Sequence, residues 1–148
     1  MDASVFENCL GKPEEAPEVQ AMLKDLGISK KLKPGGEGYV RIELPKLGLL
    51  LSFTTVEPKS SGLKFSGVQF YSEIEAGFTR FSGALPGGVV FSDSPKEARA
   101  KLGKPTKIMK DFRIDQWVAD GRQLQVRYTK ALDGIAYILR GFPRGDSK

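Results

Sequence analysis

Leu10-Gly11-Lys12-Pro13 recurs as Leu102-Gly103-Lys104-Pro105, each time at the end of a segment that reads as a helix. A chain that uses the same stop signal twice points to two copies of one supersecondary unit, and the residues after each stop bear this out. Tyr39 to Leu44 is answered by Phe112 to Ala119, and Leu49, Leu51 and Phe53 by Leu124, Val126 and Tyr128. A third strand, with Leu63, Phe65, Val68 and Phe70, corresponds to Ile135, Tyr137 and Leu139. Turn residues precede each third strand, Ser60-Ser61-Gly62 and Asp133-Gly134, and Asp120-Gly121 supplies another hairpin turn.

The helices are equally legible. Asp93 or Ser94 can cap a helix that Pro95 opens and Gly103 stops, with Ala98 and Leu102 four apart on one face. The first half inserts a second helix, Pro17 to Leu26, in which Val19, Met22, Leu23 and Leu26 keep helical spacing before Gly27. Between the halves, 77–88 reads as a connector with an extended start and room for one more strand. Antiparallel strands with helices segregated before each set predict an α+β fold: a tandem helix-plus-antiparallel-sheet repeat with the helices packed on one face of the sheet. Three-stranded sheets of this length are marginal alone, so the two pseudo-repeats, about 1–72 and 88–143, are expected to share one domain spanning 1–148.

The chain carries no histidine, which removes Ser-His-Asp and Cys-His nucleophilic systems and any Cys/His zinc cluster. Its one cysteine, Cys9, cannot form an internal disulfide and reads as a buried thiol. Three carboxylate pairs, Glu14 with Glu15, Glu73 with Glu75 and Asp115 with Asp120, are candidates by proximity for glycosidase-type chemistry, but none stands out, and the first suits a helix start and the second lies beside a loop. The glycine runs 35–38 and 83–88 lack the strand-to-helix setting and the Lys-Ser/Thr ending of a phosphate loop, so turns explain them. The expectation is a protein that is not an enzyme and holds no cofactor and no metal. No basic start leads into an apolar run and no stretch has the length of a membrane span, so the expected location is the cytoplasm, away from membranes.

Twenty-three Lys and Arg against eighteen Asp and Glu leave a formal charge of +5, which invites a nucleic-acid reading. The cations are spread along the chain, and the cluster Lys30, Lys31 and Lys33 precedes a Pro-Gly-Gly turn, which weakens that reading. It stays a rival through Lys30, Lys31, Lys33, Arg113, Arg122 and Arg127. A small-molecule pocket using Asp115 and Tyr128 is another.

Splitting the C-terminal strands by their period of two gives a further expectation. Leu124, Val126 and Tyr128 fall on one face, and Gln123, Gln125 and Arg127 on the other. Phe112, Ile114 and Val118 share a face, leaving Arg113, Asp115 and Trp117 opposite, while Ala136, Ile138 and Arg140 alternate with Ile135, Tyr137 and Leu139. A polar sheet face carrying Arg113, Asp115, Trp117, Gln123, Gln125, Arg127 and Arg140 is therefore the candidate partner-binding surface, because Trp and Arg among polar neighbours suit a protein-binding hot spot. The alternative for Trp117 is a plug in a second small core.

A helix ending in Leu-Gly-Lys-Pro, a strand with Trp117, a hairpin and a final apolar strand, present twice, resembles the tandem repeat of the β-lactamase-inhibitor-protein-like fold, which is also similar to small outer-membrane assembly lipoproteins. The stretch Phe81-Ser82-Gly83-Ala84-Leu85-Pro86-Gly87-Gly88-Val89-Val90-Phe91, followed by Asp93-Ser94 and the helix to Pro105, resembles bacterial immunity proteins encoded beside toxins. That resemblance implies a partner, a cognate toxin from a neighbouring gene, neutralised by protein-protein contact. The chain departs from the acidic inhibitors of nuclease toxins by its positive charge, so an acidic or neutral toxin surface is expected. Unpaired sheet edges leave self-association into a homo-oligomer open.

Overall fold

The computed structural model describes residues 1–33, 38–55, 62–73 and 77–143. Among these residues the chain forms three α-helices and seven strands, an α+β arrangement. Helices α1 (Ala3–Cys9) and α2 (Pro17–Asp25) precede strands β1 (Tyr39–Leu44), β2 (Leu49–Thr55) and β3 (Leu63–Tyr71). Helix α3 (Pro95–Leu102) precedes β4 (Lys107–Met109), β5 (Ile114–Ala119), β6 (Arg122–Tyr128) and β7 (Ile135–Gly141).

Local chemistry sets these limits. Ser94 caps α3 through a reciprocal box with Glu97, in which the Ser94 hydroxyl accepts from the Glu97 amide and the Glu97 carboxylate accepts from the Ser94 amide. Pro95 opens the helix where its missing N–H costs nothing. Gly11 and Gly103, the glycines of the repeated tetrapeptide, both take positive φ, 83° and 91°. After Gly11 the chain runs beside β3, where the Gly11 amide donates to Phe65 O at 2.8 Å and the Glu14 amide to Leu63 O at 2.9 Å.

All seven strands form one antiparallel sheet in the order β1-β2-β3-β7-β6-β5-β4. The row Leu44, Leu49, Phe70, Ile138, Val126 and Asp115, buried from Leu49 onward, crosses it from β1 to β5 through directly paired residues. Phe6 of α1 meets Phe70 edge-on at 5.6 Å and Phe81 at 6.4 Å, and all three rings belong to one core cluster.

Several expectations need correcting. Phe112 to Ala119 is not one strand: Lys110–Phe112 is a 3-10 turn, Arg113 takes left-handed φ 57°, and β5 starts at Ile114. The preceding strand β4 has no counterpart in the sequence reading. Its connection to β5 instead resembles that from β1 to β2, where Pro45–Leu47 forms a 3-10 turn and Gly48 takes φ 70°. Within 77–88 the regular element is a 3-10 turn at Pro86–Gly88 and not a strand. Residues 35–37 of the first glycine run, Ser60 and Ser61 of the turn before β3, and Glu75 lie outside the described residues.

The two groups of strands meet at β3 and β7, where Gly67 pairs directly with Gly141 beside the register shift in β3. A methyl group added at Gly141 would sit 2.8 Å from the Ser66 carbonyl oxygen. Gly141→Ala is expected to lower stability by about 1–3 kcal/mol through overpacking at the centre of the sheet, read as a reduced urea midpoint with unchanged slope.

Candidate functional site

Directly paired residues of an antiparallel ladder share a face, so the register assigns every strand side chain to one side of the sheet. Opposite the buried row runs a second one: Glu43, Leu50, Gln69, Leu139, Gln125, Gln116 and Lys107, one residue from each strand. Its five inner members are half-buried and its ends exposed. Flanking rows on this open face carry Tyr137, Arg127 and Ile114 on one side, and Gly141, Gln123 and Val118 on the other.

Four of the seven predicted contact residues belong to this open side. Gln125 and Arg127 are half-buried on β6 and Gln123 beside them is buried, while Arg113 curls over the strand's end, donating from Nε to Tyr128 O at 3.2 Å. Gln123 is the hub of an amide network: its Oε1 accepts from Gln116 Nε2 at 2.7 Å and Gln125 Nε2 at 3.3 Å, and its own Nε2 donates to Phe142 O at 3.3 Å. Such a network holds the side chains in one pose before any partner arrives.

Asp115, Trp117 and Arg140 are on the other face. Trp117 pairs with Leu124 and Leu124 with Arg140, in a row that continues to Val68 and Leu51. Asp115 is 1% exposed and accepts from Arg99 Nε at 2.7 Å, Arg99 Nη2 at 2.8 Å and the Tyr128 hydroxyl at 2.8 Å. Three donors satisfy a carboxylate that the apolarity of its strand neighbours would otherwise forbid. Burial, followed by the hydrogen bond to Asp115, pushes the Tyr128 phenol well above its ordinary range, and the same hydrogen bond raises Arg99. The cluster ties α3 to β5 and β6.

Trp117 is half-buried, donates from Nε1 to Gly103 O at 3.0 Å, and packs against the core at the end of α3. With Leu102, Leu124, Arg122 and Arg140 it lines an open hollow of about 460 Å3. Arg140 reaches α1, its Nε 3.2 Å from Glu7 Oε2. The seven residues thus divide between two faces of the sheet.

A second hollow, of about 550 Å3, opens where Arg113 and Arg127 meet the β6–β7 hairpin. Its lining holds three cations, Arg113, Arg127 and Lys130, and no carboxylate. Ion pairs occupy Lys12, Arg80, Arg99, Lys101 and Arg140, whereas among the described residues no carboxylate pairs with these three. Arg127 lies over the Tyr137 ring at 6.0 Å. Three like charges held around one concavity focus a positive potential that suits an anionic group.

Lys130, Gln116, Tyr137 and Leu139 complete this side and were not singled out from the sequence. The signal available for Gln116 was its position two residues from Ile114 and Val118. Of the rival basic residues, Lys30 and Lys31 line a separate hollow with Glu14 and Glu15, away from Arg113 and Arg127. Among the described residues no group of three or more His, Cys, Asp or Glu is placed to hold a metal ion, and no helix is long and apolar enough to cross a membrane. No family model, no curated protein and no solved structure matches this chain.

The two faces make different mutational predictions. Asp115→Ala, which leaves Arg99 and Tyr128 without their shared acceptor, is expected to destabilise by about 2–4 kcal/mol. Gln125→Ala, on the open side, is expected to stay within about 0.5 kcal/mol of the parent. Urea denaturation of the two variants checks both values.

Proposed function

We propose that this chain is a non-enzymatic binding protein that neutralises a cognate toxin, gripping it with the open face of the sheet and the cationic hollow at one end. The observation that carries this reading is the concentration of three cations with no ion-pair partner among the described residues, Arg113, Arg127 and Lys130, beside a half-buried row of amide and aliphatic side chains. A planar guanidinium over an aromatic ring, flanked by oriented glutamines, offers a partner both area and directional hydrogen bonds. The partner surface that fits is acidic, because a positive hollow steers and registers a negative patch.

In this reading the chain is a tandem repeat. Each set of strands runs outward from β3 or β7, three strands in the first and four in the second. The helices form a layer on the opposite face, a placement supported by the Phe6 contact with Phe70 and the Arg99 clasp on Asp115. That layer leaves the amide-rich side for the partner. The action belongs inside the producing cell, in the cytoplasm, against a toxin encoded by a neighbouring gene.

Co-expression with that neighbour tests the proposal. Intact protein is expected to rescue growth and to co-purify with the toxin, and Arg127→Glu to weaken the complex at least about tenfold by reversing a charge at the contact. Unchanged rescue and affinity in a folded Arg127→Glu, Gln125→Arg double variant would remove the open face from the mechanism.

A further inference from the structure

The two edges of the sheet are unlike. The β4 edge is three residues long, and beyond it the Val118 amide is already taken by Thr106 Oγ1 at 2.9 Å. The β1 edge is six residues long, Tyr39-Val40-Arg41-Ile42-Glu43-Leu44, and contains neither proline nor a register shift against β2. Among the described residues it has no proline, bulge or covering element to protect it from pairing, and its two charges, Arg41 and Glu43, are of opposite sign.

Which backbone groups face outward follows from one bond. The Thr55 amide donates to Gly38 O at 2.9 Å, so residue 38 turns its polar groups toward β2. By alternation residues 40, 42 and 44 do the same, and the N–H and C=O groups of Tyr39, Arg41 and Glu43 point to the free edge. Among the described residues nothing bonds to them.

The side chains of this strand are complementary to themselves. In an antiparallel pairing with a second copy centred on Ile42, Arg41 stands opposite Glu43 of the partner and Glu43 opposite Arg41. Val40 stands opposite Leu44, and Ile42 opposite its own copy. The outward-pointing residues are the ones such a register bonds, as two hydrogen-bonded Arg41–Glu43 pairs around a non-hydrogen-bonded Ile42 pair. A centre on Arg41 or on Glu43 would oppose like charges, which the ladder disfavours. Arg41 and Glu43 are exposed and, among the described residues, take part in no ion pair. Val40, Ile42 and Leu44 pack on the core with one flank and stay only half-buried.

We propose that β1 is a homodimerisation edge, pairing antiparallel with β1 of a second copy about a two-fold axis through Ile42. The partner is argued from the strand's own charge and apolar pattern, which is the pattern it would have to meet. A two-fold contact requires this self-complementarity. Two sheets would then join into one continuous sheet, with both open faces on the same side.

Sedimentation velocity over a concentration series tests the proposal on the full chain. The expected result is a species of twice the 16.2 kDa chain mass that grows with concentration. Arg41→Glu and Glu43→Arg, each placing two like-charge contacts across the axis, are expected to weaken the dimer at least about tenfold. The double charge swap Arg41→Glu with Glu43→Arg is expected to restore it, with circular dichroism confirming that every variant is folded. A monomer at all concentrations, a dimer indifferent to either single reversal, or a folded double variant that stays monomeric would overturn the proposal. Since the β1 edge is separate from the cationic hollow, failure of the dimer leaves the toxin-binding reading untouched, and the reverse holds too.

Discussion

The pairing of β3 with β7 is the contact on which the rest of the molecule depends. Either strand set alone is a small meander with one apolar face, and such sheets are marginal in water. Joined at Gly67 and Gly141, the two faces become one, and Phe70 and Ile138 sit side by side at full burial. Glycine in a strand is costly, because the chain loses conformational freedom without gaining packing. Here the missing side chains let the Ser66 carbonyl come close to the β7 backbone at the point where β3 shifts register.

Closing the core this way creates a problem at its far end, and the solution shapes the surface. Asp115 stands in the buried row next to Val126, where a lone carboxylate would be expelled or neutralised. Arg99 answers it from α3 and Tyr128 from β6, so an ion pair fixes a short helix whose buried apolar contribution is chiefly Ala98. Arg140 and Glu7 repeat the device between β7 and α1. Asp115 is thus satisfied internally, whereas on the open side Gln125 and the cations of the hollow stay partly exposed.

How much of this was legible in the letters depends on the element. Helix α3 was readable because its cap, its proline and its stop are all local. The strands after it were readable as strands, but their faces were not. Alternation in β5 was counted correctly, yet Ile114 and Val118 looked like the core side because aspartate is rarely buried. Only the distant Arg99 and Tyr128 make Asp115 an interior residue. In β7 the register shift against β6 near Arg127 and Tyr128 buries the neighbours Ile135 and Ala136 together, so period two alone cannot orient Arg140. Strand β4 left no signal, since Lys107 and Ile108 are exposed and three residues carry no pattern. Lys130 was equally silent, as a turn lysine reads as ordinary solvated charge until the hairpin folds it beside Arg113 and Arg127.

The surplus of +5 gains meaning only from where it remains unpaired. A net charge spread evenly keeps a protein soluble and says little about partners. Of the cations near the helices, Lys12, Lys101, Arg99 and Arg140 are tied to Glu18, Asp93, Asp115 and Glu7, and the loop arginine Arg80 is tied to Glu73. Each such pair cancels at short range and contributes little to the distant field. Among the described residues no ion pair takes up the three cations around the β6–β7 hairpin, and the concave surface between them adds their potentials where a ligand group would sit. Part of the positive balance of the sequence, which as a total pointed weakly toward nucleic acid, gathers on the fold at one end of a glutamine and leucine row whose tips carry Glu43 and Lys107. In the proposed reading that combination suits a folded, acidic partner better than a long polyanion, which would need a continuous basic track to follow.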